Sequence, residues 1–132
     1  MRILFVYAGA EPELTRELAR HGHDVLPVGD GELPTRLLRV FEPHVVLVAA
    51  ADVVQVCREF RRQAADVPIV AIVRGRDLDE RLAALSSGAD DCVSSPFDQA
   101  ELLARIHAAT RRRDPLPARL QIARQQPLGD TA

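Results

Sequence analysis

Five short aliphatic runs recur along the chain, at Ile3 to Tyr7, Asp24 to Val28, Val45 to Ala49, Ile69 to Val73 and Asp91 to Ser94. Their apolar positions are continuous rather than alternating, which predicts strands covered on both faces of a parallel sheet. Between and after them, apolar residues return at three- and four-residue spacings over Pro12 to His21, Glu32 to Phe41, Val53 to Ala64, Leu78 to Ser86 and Gln99 to Arg112. That spacing predicts helices with one buried stripe each. The punctuation agrees: Gly22 and Gly88 stand where helices end, Asp98 stands at a helix start with Glu101 three residues on, and Pro43 and Pro68 lead into strands. The pattern is that of five βα units joined by right-handed crossovers, an α/β fold.

After Arg113 the pattern stops. The remaining stretch, DPLPARLQIARQQPLGDTA, has three prolines, little apolar content and one short strand-like run at Leu120 to Ile122. Residues 1–113 therefore read as one domain, and 114–132 as a linker or the stub of a further module, with a disordered tail as the alternative. A length of 132 residues with 47% hydrophobic content suffices for one core without metals or disulfides. The net charge of -2 gives no overall electrostatic case for a stand-alone nucleic-acid binder. Cys57 and Cys92 lie far apart and outside any C-x-x-C pattern, and ILFVY is too short for a signal-peptide core or membrane span. A cytoplasmic protein that does not engage a membrane is expected. His21 and His23 flank a helix-ending glycine and would diverge, so no metal site is expected there, and the GDGE turn at 29–32 lacks a phosphate-loop pattern.

Between Gly88 and Arg113 the chain reads GADDCVSSPFDQAELLARIHAATRRR, and upstream it reads VPIVAIV and ERLAALSSGADD. These phrases resemble the receiver domain of OmpR/PhoB-type response regulators, with landmarks matching over about residues 1 to 113. The resemblance implies a flavodoxin-like (βα)5 fold: a five-stranded parallel sheet of order 2-1-3-4-5, helices on both faces, and a site at the carboxyl ends of the central strands.

Phosphoryl chemistry there needs a carboxylate nucleophile, an acidic pair for Mg²⁺, a hydroxyl and an ammonium group. The resemblance places these roles on residues that cannot perform them. The nucleophile position is Ala49, the acidic positions fall among Tyr7, Ala8 and Gly9, the hydroxyl position is Val73 and the lysine position is Ser95. All 17 basic residues are arginine. A degenerate pocket of Tyr7, Ala8, Gly9, Ala49, Val73, Arg74 and Ser95 is expected, with no catalytic residue, no cofactor and no enzymatic activity. Asp52, three residues past Ala49, remains as a displaced acceptor, and Glu11 as a displaced acidic residue. Arg74 reads as a pocket cap, an anion ligand or a solvated arginine. Cys92 stands at the family's aromatic switch position, and reads either as a redox sensor or as a small core thiol.

The resemblance further implies a homodimer through the face of the fourth helix, fifth strand and fifth helix. Its interchain ion pairs map to Arg81 with Glu101 and to Asp91 with Arg105, with Asp90 beside them. Arg112 matches a family arginine whose acidic partner position is Leu82, and His107 occupies a lysine position. Leu102, Ala104 and Ile106, interleaved with these charges, are expected as the apolar centre of the contact. Glu101 and Arg105 are also four apart on one helix, so a solvated intrahelical pair is the alternative. The functional expectation is the regulatory and dimerisation domain of an atypical transcription regulator working without phosphorylation. DNA is expected to be contacted only through a module following residue 132, with Arg111 to Arg113 at the junction. A small-molecule ligand in the vacated pocket is a further expectation. The alternatives are a receiver-like adaptor for a partner protein, or a phosphoacceptor using Asp52.

Overall fold

A computed structural model describes residues 1–10, 12–31, 35–64 and 66–113. The expected linker at 114–132, its strand-like run, Glu11 and the start of the second helix at Glu32 all lie outside the described residues.

The elements are β1 (Arg2–Tyr7), α1 (Leu14–Arg20), β2 (Asp24–Gly29), α2 (Thr35–Phe41), β3 (Val45–Ala49), α3 (Val53–Gln63), β4 (Ile69–Arg74), α4 (Leu78–Ser86), β5 (Asp91–Ser95) and α5 (Gln99–Arg113). The strands form one sheet of order β2-β1-β3-β4-β5, and every neighbouring pair is parallel. This is the flavodoxin-like topology that the pattern and the resemblance implied.

Alternation along the strands assigns the two sheet faces. Leu4, Val6, Val46, Val48, Ile69 and Ala71 point to one face, where they pack with Val56, Cys57 and Phe60 of α3 and Ala84 of α4. Ile3, Phe5, Val45, Leu47 and Val70 point to the other, against Leu18 of α1 and Leu102, Ile106 and Ala109 of α5. Leu102 and Ile106 are fully buried one turn apart, each contributing roughly 1.5–3 kcal/mol by its transfer from water.

Burial on both faces holds for β1, β3 and most of β4, but not for the edges. Asp24 and Gly29 of β2 are exposed and its intervening residues only half-buried, because β2 has a neighbour on one side alone. The first helix starts at Leu14 rather than Pro12, since Pro12 gives its carbonyl to Thr15 in a turn ahead of it.

Both predicted helix-ending glycines do that work. Gly22 has φ +87° and Gly88 φ +123°. After α4 the Gly88 N–H donates to Leu85 O and the Ala89 N–H to Ala84 O, a Schellman closure. Gly88 is also hemmed in: a Cβ there would lie 3.1 Å from Arg61 Cβ.

Arg61 explains that closeness. Its guanidinium donates to Gly88 O (2.6 Å through Nη2), to Val67 O (2.8 Å) and to Asp90 Oδ2 (3.1 Å), while Asp90 Oδ2 also accepts from the Ile69 N–H (2.8 Å). One arginine on α3 thus fastens the turn before β4 to the turn before β5.

Candidate functional site

The carboxyl ends of the strands bring the expected pocket residues to one edge of the sheet. Tyr7 pairs in register with Ala49, Val73 with Ser94 and Arg74 with Ser95. A cavity of about 330 Å³ opens there, lined by Ala49, Ala50, Val53, Arg74, Glu80 and Ser95. Of the seven residues expected to form the pocket, Ala49, Arg74 and Ser95 line it. Val73 does not, because its side chain turns into the core on the α3 side. Tyr7 packs against Phe5, with ring centroids 6.2 Å apart, on the opposite face. Ala8 is half-buried at the strand exit, and Gly9 is an exposed turn residue with φ +75°.

The carboxylates near this edge are engaged elsewhere or stand at its rim. Asp52 is exposed and caps α3, accepting from the Gln55 N–H at 3.1 Å. Asp30, just past β2, accepts from the Ala51 N–H at 2.9 Å and so ties the exit of β3 to the exit of β2. Glu80 of α4 lines the cavity with Arg74. Neither Asp30 nor Glu80 was singled out from sequence, since both lie in helix or turn positions whose pattern says only that they are solvated. β3 itself ends in a methyl group. Among the described residues, no group of three or more His, Cys, Asp or Glu side chains gathers as a metal site.

The two thiols are buried, and burial pushes Cys57 up to about 11. It also raises Cys92, although Arg81 lies close enough to hydrogen-bond the sulfur and works in the opposite direction. A thiol held protonated in the core lacks the nucleophilic form that redox sensing uses, so the redox reading of Cys92 gives way to that of a core residue.

The flank formed by α4, β5 and α5 is different in kind. Arg105 Nη1 meets both carboxylate oxygens of Asp91, at 3.0 and 3.2 Å, and Arg105 Nε meets Glu101 at 3.2 Å. The hydrogen bonds to Asp91 raise the proton affinity of the Arg105 guanidinium. The Asp91–Arg105 pair, expected between chains, is therefore made within one chain. Arg81 and Glu101 line a second cavity together. Asp90 faces away: its carboxylate takes Arg61 and the Ile69 N–H, so it belongs to the internal fastener and leaves the interface set. The side chain of Arg112 lies outside the described residues.

The apolar centre expected at Leu102 and Ile106 is corrected as well. Both are fully buried against the sheet, and only Ala104 of that trio is exposed. The exposed apolar side chains on this flank belong to α4: Leu78 at 63%, Leu82 at 50% and Leu85 at 41%. Spaced by four and three, they form one stripe on a helix whose buried contact is Ala84 alone. The reason is local: α4 rests on the sheet through a small residue, so its leucines turn outward.

No protein-family model matches the chain. Response regulator MprA of Mycobacterium leprae (strain TN) is 34% identical over 129 residues, 93% of this chain and 57% of that protein. The DNA-binding response regulator MtrA of the same organism is 35% identical over 111 residues, 81% of this chain and 49% of that one. The chain spans about half the length of these relatives. Among solved structures, the BeF3-activated N-terminal receiver domain of Klebsiella pneumoniae RstA superimposes with a TM-score of 0.71 at 26% identity, covering 84% of this chain and 99% of that domain. HP1043, an orphan response regulator of H. pylori, shares the fold with a TM-score of 0.71 at 20% identity, over 84% of this chain and 97% of that one. No helix among the described residues is long and apolar enough to cross a membrane.

Proposed function

From a chain with the sequence and fold of a response-regulator receiver domain, we propose a regulatory and dimerisation module that works without phosphorylation in a transcription regulator. The observation that carries the reading is the cavity at the ends of β3 and β4. It presents Ala49, Arg74, Glu80 and Ser95 where phosphoryl transfer needs an acceptor carboxylate, a hard-cation site and an ammonium group. An arginine opposite a glutamate leaves the cavity close to neutral. A methyl group at the end of β3 can neither take a phosphoryl group nor help to hold Mg²⁺.

What remains for signalling is the flank. The Leu78, Leu82 and Leu85 stripe, beside Arg81, Asp91, Glu101 and Arg105, has the make-up of a modest symmetric contact, apolar at its centre and charged at its rim. In the dimer proposed here, Arg105 exchanges or shares its Asp91 partner across the two-fold axis. Since relatives are about twice as long and one is described as DNA-binding, the DNA contact is assigned to a module beyond the tail. A cytoplasmic setting follows for such a regulator. The cavity at the ends of β3 and β4 is the seat assigned to an uncharged small-molecule ligand, because Ala49, Ala50 and Val53 wall it with apolar groups.

The experiment is sedimentation of residues 1–132 with and without acetyl phosphate and Mg²⁺, paired with intact-mass analysis. The reading expects a dimer that the phosphodonor leaves unchanged and a mass without adduct. A phosphate adduct that Asp52→Ala removes would replace it with a displaced acceptor. A monomer at every concentration would replace the dimer with an adaptor surface for a different protein.

A further inference from the structure

We propose that the cleft between the β4–α4 loop, the end of β5 and α5 binds a small phosphate monoester, gripped by Arg76 and Arg81 and completed by the Ser94 hydroxyl. The cleft is the larger of the two described cavities at this end of the sheet, about 390 Å³ against about 330 Å³. It is lined by Arg76, Arg81, Arg105, Glu101, Ser94 and Ser95, so three guanidiniums face one carboxylate.

The three arginines are not equivalent. Arg105 is neutralised by Asp91 and Glu101. Arg76 and Arg81 form no ion pair among the described residues. Arg81 is half-buried, and its neighbour is the Cys92 sulfur, a weak acceptor that leaves most of its five donors unused. Ser94 lines the same cleft, and its hydroxyl oxygen is buried without a hydrogen-bond partner. Buried polar groups are as a rule satisfied, and the unpartnered Ser94 hydroxyl beside the exposed Arg76 and the half-buried Arg81 offers an anion one hydroxyl and two guanidiniums.

Phosphate fits this donor set better than a carboxylate does. Its tetrahedral oxygens can take two arginine forks and a hydroxyl from different directions at once. The volume exceeds what one inorganic phosphate fills and falls at the small end of ligand pockets, roughly 300–1,000 Å³, which leaves room for a compact organic group. Glu101 at the rim disfavours a second anionic group, hence a monoester. Ala49 does not line this cleft, so the site is distinct from the vacated pocket, with Ser95 as the shared wall. Every residue named belongs to one chain. Because Arg81, Glu101 and Arg105 also stand on the proposed dimer face, ligand binding and pairing compete there, and the titration is read at a concentration where the chain sediments as a monomer.

The test is a titration of the ¹⁵N-labelled chain, residues 1–132, with inorganic phosphate and separately with glycerol 3-phosphate, at constant ionic strength set with chloride. Saturable shifts are expected at Gly75, Ser94 and Ser95, weakened roughly tenfold or more in Arg81→Gln and also weakened in Ser94→Ala, the loss of a charge-assisted hydrogen bond. Dispersed spectra of both variants show that they remain folded. Tighter binding of the glycerol ester identifies an organic monoester as the ligand, and equal binding identifies phosphate itself. Shifts that grow linearly without saturating, that persist unchanged in both variants, or that vanish in Arg74→Gln instead would overturn the assignment.

Discussion

The carboxyl edge of the sheet and the α4–β5–α5 flank share strands and even a residue, Ser95, yet they have been furnished by opposite rules. At the edge, the cavity at the ends of β3 and β4 is lined by methyl groups and one arginine from the strand exits and by one glutamate from α4. On the flank, a few residues of α4, β5, α5 and the loop before α4 supply three leucines, two half-exposed ion pairs and two further arginines. The lesson is that a scaffold and its site chemistry are separable. The same five βα units stand whether or not the strand ends carry carboxylates, because the core that holds them lies one layer below.

The largest effect expected from breaking this comparison lies under both regions. Arg61→Ala removes three carbonyl or carboxylate partnerships and leaves Asp90 without its guanidinium in a largely buried position. A loss of about 3 kcal/mol is expected, the low end for stripping one partner from a buried pair. Urea unfolding measures it, and Asp90→Ala should cost less in the Arg61→Ala background than in wild type, because the two residues share one ion pair, while its loss of the Ile69 N–H partner remains. Stability would thus reside in the fastener rather than in the pairs facing solvent.

The next effect separates assembly from stability. Arg105→Glu places a like charge beside Asp91 and Glu101, yet the pairs lost are half-exposed and each contributes at most about 1 kcal/mol to folding. Sedimentation is expected to show the proposed dimer split while the unfolding midpoint moves only slightly. Leu82→Glu should split it as well, at a folding cost within about 0.5 kcal/mol, since that side chain is half-exposed. If either variant sediments as wild type, the flank is ordinary surface.

A smaller change is expected at the far end of the sheet. Burial first, then the Met1 ammonium, His107 and His21, lowers His23 below its ordinary 6.5. As pH falls through 6.5 the unfolded chain takes up the proton before the folded one does, so this contribution is complete above 6.5 and is lost on acidification. Melting midpoints should therefore fall more steeply below that pH in wild type than in His23→Gln.

The smallest expected effect is none at all. Ala49→Asp alone should gain no phosphate adduct from acetyl phosphate and Mg²⁺, because a carboxylate on β3 still lacks the acidic pair and the lysine. An adduct in that variant's intact mass would show the edge to be one substitution from function.

Much of this was legible beforehand. Continuous aliphatic runs located β1, β3 and β4, helical spacing located α4 to the residue, and Gly22 and Gly88 marked helix ends that need positive φ. The identities of Ala49 and Ser95 at the strand ends were also readable, since strand ends follow from strand placement. Leu102 and Ile106 were misassigned because their spacing beside charged residues is the same whether a helix buries that stripe or offers it to a partner. Asp90 and Asp91 were read together, although successive residues entering a strand point to opposite sides.

The sequence by itself determined the number, order and type of the elements and the absence of lysine, because periodicity, punctuation and composition are properties of neighbouring residues. Tertiary structure alone decided that Arg61 reaches across 27 residues to Gly88, that α4 turns its leucines outward, and that Arg76, Arg81 and Ser94 share a cleft. Those outcomes depend on which helix packs on which sheet face and how closely, and packing distances between segments remote in the chain are not written in local pattern.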